Sequence, residues 1–138
     1  MMKPFVAWLA VTCVIFGACG GAYHLYLTKN PRKILVAVDS SFQMKAVWPR
    51  IPDTLRLIEQ QRYATFALIT EKNRIHSWSP SLSLGVMIPY APRDFSRLAS
   101  TAAYPEIREA NRKYVITTLL EASAQAQLRG WEIIQLAP

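Results

Sequence analysis

Cysteine, histidine and glycine are scarce in this 138-residue chain. The only cysteines, Cys13 and Cys19, lie in an uncharged N-terminal segment, so the rest of the chain has neither a disulfide framework nor a thiolate metal site. Outside that segment the only glycines are Gly85 and Gly130, too few for a glycine-rich phosphate loop. Disulfide-rich and phosphate-loop classes are therefore excluded.

Acidic residues are absent before Asp39, and part of the net charge of +7 comes from the cations that flank the N-terminal segment: Lys3, Lys29, Arg32 and Lys33. No Lys/Arg-rich stripe interleaved with aromatic residues occurs. We therefore expect no nucleic acid as a partner. Such cations instead favour the head groups of anionic membrane lipids or an acidic partner.

The segment from residue 4 to residue 27 contains no charged residue. At about 1.5 Å per residue, a helix of this length spans a bilayer core of roughly 30 Å. The sequence predicts a retained N-terminal transmembrane anchor over residues 1–28, a linker over 29–33 and a soluble domain over 34–138.

Two other interpretations of the N-terminal segment remain open. Lys3 and the apolar residues 5–16 also have the layout of a secretory signal peptide. Residues 16–19 loosely resemble a lipoprotein cleavage box, in which Cys19 would be lipidated, although Phe16 stands where leucine is usual.

Gly17 and Gly21 are four residues apart on the predicted anchor. This spacing lets the backbone of another helix approach closely, so we predict that they pack against other transmembrane subunits of a larger complex.

Two features of the sequence predict opposite orientations of the anchor in the membrane. A short basic tail before an apolar segment is typical of a signal anchor, which exports the residues that follow it. We therefore expect a single-pass protein of the cell inner membrane with a periplasmic domain. The alternative is a cytoplasmic domain, which the larger number of cations after the segment favours.

The first element of the domain is a continuous apolar run over residues 34–38, followed by Asp39 and two serines. Continuous apolarity predicts a strand buried on both faces, as in a parallel sheet. Further along, the sequence predicts a helix over 53–62, strands over 63–70 and 75–78, a long loop over 79–92, a helix over 94–103, a second helix from 105, and a final strand over 131–136.

Residues 114–120 are ambiguous, because a β-branched run there fits either a strand followed by a short helix or one long helix over 105–129. The strand is the preferred interpretation. Alternating strands and helices predict an α/β fold with a mostly parallel, Rossmann-like sheet and helices on both faces.

Three segments of the domain together match a known pattern: RKILVAVDSS, FALITEKNRIHSWSPSL and QAQLRGWEIIQLAP. They resemble pieces of a von Willebrand factor A domain, over most of residues 33–138. In that family the first strand ends in an Asp-x-Ser-x-Ser metal motif. The first strand also resembles that of universal stress proteins, whose glycine-rich phosphate loop is missing here.

The family's metal motif is matched only in part. Asp39 and Ser41 occupy its first two positions, but Gln43 replaces the second serine and Glu121 lies near the family's later aspartate. The resemblance implies a Mg²⁺ or Ca²⁺ site at these four residues, since hard cations need oxygen ligands. The alternative is that Asp39 and the serines only turn the chain, with no cofactor.

The loop over residues 82–92 carries six large apolar residues without a period of 2 or 3.6. We predict that it binds a protein partner, mainly through Val86, Met87, Ile88 and Tyr90, rather than packing on the core. The alternative is that the loop folds back on the core.

No catalytic motif with a fixed spacing occurs in the chain. His76 could act as a base toward Ser40 or Ser41, but no feature of the sequence fixes the geometry of such a pair. The preferred function is a non-enzymatic accessory or assembly subunit of a membrane protein complex, anchored by one helix. The alternative is a metal-dependent protein-binding module that uses Asp39 and Ser41.

Overall fold

The computed structural model describes residues 3–90, 92–100 and 102–137. The chain forms two units, an N-terminal helix and a C-terminal domain, which divide between Pro31 and Arg32. The elements in chain order are α1 Pro4–Lys29, β1 Arg32–Val38, α2 Ile51–Glu59, β2 Ala64–Thr70, β3 Arg74–Ser79, α3 Ser96–Ala99, α4 Pro105–Glu109, β4 Arg112–Thr117, α5 Ala122–Gln127 and β5 Glu132–Gln135.

Helix α1 is 26 residues long and contains no buried residue. Pro4 occupies its first turn, where the missing N–H has no intrahelical partner to lose. The helix is long and apolar enough to cross a membrane, a property that membrane anchors and signal sequences share. It ends at Lys29 and β1 begins at Arg32, both within the predicted linker over 29–33.

The domain is built on a five-stranded mixed sheet with the order β3-β2-β1-β4-β5. Strand β1 pairs in parallel with both β2 and β4, and β5 pairs in parallel with β4. Only β3 is antiparallel, because the tight turn from Glu71 to Asn73 returns the chain alongside β2 as a hairpin. The α/β class and the mostly parallel sheet are confirmed.

Strand β1 is fully buried from Ile34 to Val38, as its continuous apolar run predicts. Alternate residues of this strand belong to two separate clusters on opposite faces of the sheet. One cluster contains Ile51, Leu55 and Ile58 of α2, and the other contains residues of α3 and α4. Helices therefore cover both faces.

Two helices differ from the sequence prediction. Helix α2 begins at Ile51 rather than after an Asp53 cap, because Pro52 fits the first turn. Helix α3 ends at Ala99, so the helix predicted over 94–103 is wrong in length. The indole nitrogen of Trp131 donates to the carbonyl oxygen of Leu98 at 3.3 Å and takes an acceptor that a longer helix would use.

The ambiguous residues after Tyr114 form strand β4 and then the short helix α5, so the long-helix alternative is wrong. Tyr114, Val115 and Ile116 are buried between β1 and β5. Gly130 has a φ of +89°, a left-handed conformation that lets the chain turn from α5 into β5.

Candidate functional site

A group of buried polar residues lies at the carboxyl ends of three neighbouring strands. Asp39 and Ser40 follow β1, Glu71 follows β2, and Thr117 ends β4. Because these strands are parallel, their carboxyl ends meet at one edge of the sheet, where open α/β folds place their binding sites.

The carboxylate of Asp39 is fully buried and accepts three hydrogen bonds. Its Oδ2 accepts from Arg93 Nε at 2.9 Å and from Thr117 Oγ1 at 2.8 Å, and its Oδ1 accepts from the backbone N–H of Ser41 at 3.0 Å. The Arg93 side chain is 13% exposed and the Asp39 side chain 0%. A largely buried cation thus neutralises a fully buried anion.

Glu71 makes a second closed network beside the first. Its Oε2 accepts from the backbone N–H of Ser40 at 2.8 Å, and its Oε1 accepts from Ser40 Oγ at 3.0 Å and from Lys72 Nζ at 2.8 Å. Ser40 is itself fully buried. Its hydroxyl is therefore committed to Glu71 and is closed off from a substrate.

The same cations fasten the loop that crosses this edge. Lys72 Nζ donates to the carbonyl oxygen of Tyr90 at 2.6 Å and lies 4.2 Å from the centroid of its ring. The N–H of Tyr90 donates to the carbonyl oxygen of Ser40 at 2.7 Å. Arg93 Nη1 donates to the carbonyl oxygen of Leu119 at 2.7 Å. The loop is thereby joined to β1, β2 and β4.

The four residues of the predicted metal site fall into two groups. Asp39 and Ser41 are buried together, and Ser41 Oγ has no hydrogen-bond partner among the described residues. Gln43 and Glu121 are exposed and line a cleft of about 360 Å³ that Arg93 also lines. Asp39 Oδ2 already accepts from Arg93 Nε at 2.9 Å, so a metal ion at this oxygen would have to replace the guanidinium. In the described ranges no three His, Cys, Asp or Glu side chains form a group that could hold a metal.

Asp94 lies between this cleft and a second one of about 550 Å³, which is also lined by Lys72 and Arg97. The backbone N–H of Ser96 donates to Asp94 Oδ1 at 2.9 Å. This hydrogen bond holds the pKa of Asp94 below its ordinary value, and a hydrogen bond from the Ser96 hydroxyl has a smaller effect in the same direction. The carboxylate stays ionised and balances the neighbouring cations.

His76 makes its contacts within and beside the hairpin. Its Nδ1 lies 2.8 Å from the carbonyl oxygen of Ser77, and the N–H of Ser83 points to its Nε2 at 3.4 Å. Both ring nitrogens are therefore engaged with residues other than Ser40 and Ser41.

The apolar loop is divided between the core and the surface. Leu82 and Leu84 pack against the core, so the expectation that the whole loop stays off the core is wrong for these two residues. Val86 is fully exposed and Ile88 is 74% exposed. Met87 is half-buried, and its carbonyl oxygen accepts from the indole nitrogen of Trp48 at 3.0 Å.

The two glycines predicted to pack against other helices lie on one side of α1. A Cβ placed on Gly17 or Gly21 meets nothing within 4 Å. Both positions are therefore sterically open to the backbone of another helix.

The sequence prediction missed Arg93, Lys72 and Glu71, the residues that complete the networks. One signal was available: Glu71 and Lys72 follow the apolar strand β2 directly, as Asp39 follows β1. Arg93 lies in an irregular loop whose register no periodicity fixes.

Comparison of the chain with protein-family models, with curated proteins and with solved structures finds no match. The resemblance to a von Willebrand factor A domain therefore stays a prediction.

Replacing Arg93 by Met should lower the free energy of unfolding by about 3–5 kcal/mol, because it leaves the Asp39 carboxylate buried beside an apolar side chain. The double replacement Asp39→Asn with Arg93→Met should cost clearly less, since neither charge then remains. Urea unfolding followed by tryptophan fluorescence measures both values.

The exposed pair Asp53 and Arg56 gives the matched control, with side chains 75% and 74% exposed. Asp53→Asn with Arg56→Met should change the free energy of unfolding by less than about 0.5 kcal/mol. A loss below about 1 kcal/mol for Arg93→Met would contradict a central role of the buried pair.

Proposed function

We propose that this chain is a non-enzymatic accessory subunit of a membrane protein complex. Helix α1 anchors it in the cell inner membrane, where its neighbours are lipids and other transmembrane subunits. The domain, on the exported side, binds a protein partner through the docking loop, which we define as residues 85–90. The observation that carries this proposal is the exposure of Val86 and Ile88 on a loop that is itself held in place.

Holding the loop in place matters because ordering a mobile loop costs free energy on binding. Within the docking loop, the carbonyl oxygen of Met87 accepts from Trp48, and Tyr90 is held by Ser40 and Lys72. Ile88 lies between Met87 and Tyr90, and Val86 precedes Met87. Neither Val86 nor Ile88 belongs to the buried core. Exposed apolar side chains on a fixed loop are typical of protein–protein contact sites.

A non-enzymatic role is supported by the state of the polar residues at the sheet edge. A nucleophile or a general base needs a free lone pair or proton within reach of a substrate. The carboxylates of Asp39 and Glu71 each accept three hydrogen bonds, and the Ser40 hydroxyl is buried against Glu71. These groups therefore serve structure.

Replacing both Val86 and Ile88 by Ser should reduce recovery of the partner about tenfold or more, because the loop loses its apolar contacts. The free energy of unfolding should change by less than about 0.5 kcal/mol, since both side chains are exposed. The measurement is quantitative mass spectrometry of proteins that co-purify with the full chain from its native membrane in mild detergent.

Leu57→Ser is the matched control for the docking loop, because Leu57 is 67% exposed on α2, on the side of that helix away from the loop. It should leave the co-purified proteins unchanged. If the double variant unfolds the domain, or retains its partners as the control does, the docking loop is not the contact site.

Gly17→Leu and Gly21→Leu should each weaken co-purification with other membrane subunits, because a large side chain keeps helix backbones apart. Cys19 lies about 200° around the helix from Gly17, so Cys19→Leu tests a large residue on the opposite face. Equal recovery for all three variants would mean that the glycine face contacts only lipid.

The alternative function is a Mg²⁺- or Ca²⁺-dependent protein-binding module of the von Willebrand factor A type. The observation that favours it is the buried Ser41 hydroxyl, which lacks a hydrogen-bond partner among the described residues and follows Asp39 in the partial motif. Arg93 weighs against it, because a metal ion would have to displace the largely buried Arg93 side chain from Asp39.

Millimolar Mg²⁺ or Ca²⁺ should therefore shift the melting temperature of the protein by less than about 2 °C. An ion at a hundredfold its Kd would stabilise the fold by about 2.7 kcal/mol and raise the melting temperature by about 10 °C or more. A shift of that size that disappears in Asp39→Asn, measured by scanning fluorimetry, would favour the metal-dependent module.

A further inference from the structure

Among the described residues, strand β5 pairs with β4 alone and so forms an open edge of the sheet. The N–H of Leu136 donates to the carbonyl oxygen of Thr117 at 2.8 Å. Backbone groups alternate in direction along a strand, so those of Ile134 also face β4, whereas those of Ile133 and Gln135 face outward. No residue in the described ranges pairs with these outward N–H and C=O groups.

The two edges of the sheet differ in regularity. At the other edge, β3 pairs with β2 through two register shifts and is followed by Pro80, features that discourage a further strand. Strand β5 pairs with β4 in unbroken register from Glu132 to Gln135 and contains neither lysine nor proline. Its edge therefore lacks the bulges and the proline that protect β3, and its protection is limited to its length of four residues and the charge of Glu132.

From this contrast we propose that the β5 edge binds an extended segment of a separate protein as a sixth strand. This surface is distinct from the docking loop. The outward backbone groups select the chemistry of the ligand, because only another backbone in the extended conformation offers donors and acceptors at the spacing of a strand.

The side chains of β5 specify the composition of that segment. Ile134 packs toward the α2 face, while Ile133 is on the opposite face and is 37% exposed. A sixth strand that covers both must carry apolar side chains on both of its faces.

The charged residues around β5 indicate which residues should flank the apolar part of the bound segment. At its start, Glu132 is paired with Arg112 at 3.0 Å, and Lys113 lies 5.3 Å from the centroid of the Trp131 ring. At its end, Arg50 donates to the last described carbonyl oxygen. Three cations face one carboxylate, so acidic residues on either side of the apolar segment complement this edge.

A second copy of the chain fits this edge less well than a separate protein. Two β5 strands would pair antiparallel about a twofold axis perpendicular to the sheet, which turns the amino ends of the two β1 strands in opposite directions. Only two residues separate α1 from β1. If both α1 helices are anchored in one membrane, as proposed above, the two β1 strands cannot easily start in opposite directions, so a second copy is disfavoured.

The test is selection of a displayed library of random eight-residue segments against the full chain in detergent micelles. We expect enrichment of segments with an apolar, β-branched centre, acidic flanks and no proline. Gln135→Pro removes an outward N–H and should weaken binding of the enriched segments at least tenfold. Ile133→Lys keeps the backbone intact and should have a similar effect, while Leu57→Lys should leave binding unchanged.

Three results would overturn the inference. One is the absence of any enriched segment, and another is equal binding to Gln135→Pro, Ile133→Lys and the wild type, with circular dichroism showing that both variants are folded. The third is a wild-type dimer in sedimentation that Gln135→Pro converts to a monomer, because a second copy then occupies the edge. Each of these results leaves the co-purification tests of the docking loop unaffected.

Discussion

The ion pair between Arg93 and Asp39 is the contact on which the carboxyl end of the sheet depends. A carboxylate with no exposed surface is stable only if a cation and hydrogen bonds replace the water that it has lost. Arg93 supplies that cation to Asp39 from a loop far along the chain. Glu71 receives its cation from Lys72, the next residue in the sequence. Because each cation also binds a backbone carbonyl oxygen, of Leu119 or Tyr90, neutralising the carboxylates fixes the loops as well.

The fixed loops in turn explain where the surface of the domain is apolar. Leu82 and Leu84 pack on the core and Tyr90 is held at the sheet edge, so both ends of the intervening segment are fixed. Val86 and Ile88 remain in contact with solvent as a result. A buried electrostatic constraint and an exposed apolar surface are thus parts of one arrangement, which is why we propose that a partner binds there.

The sequence predicted the sheet well, because its signals are local. A continuous apolar run identified β1, a short polar turn identified the hairpin, and β-branched residues favoured a strand at Tyr114. Helix lengths were predicted less well, since Trp131, distant in sequence, contacts the end of α3. Arg93 was missed for a similar reason: its partner lies 54 residues away, and an irregular loop has no period from which to derive that contact.

The sheet order also determines how the domain is made. Strand β1 is the first strand synthesised and lies at the centre of the sheet, but Asp39 at its end meets Thr117, 78 residues later in the chain. At about 5–20 residues per second, a ribosome needs roughly 4–16 s to synthesise that interval. During this time strand β1, whose residues 34–38 are fully buried in the finished sheet, has no neighbour on its β4 side. Because unpaired strand edges favour aggregation, the nascent chain passes through an aggregation-prone stage before β4 is synthesised.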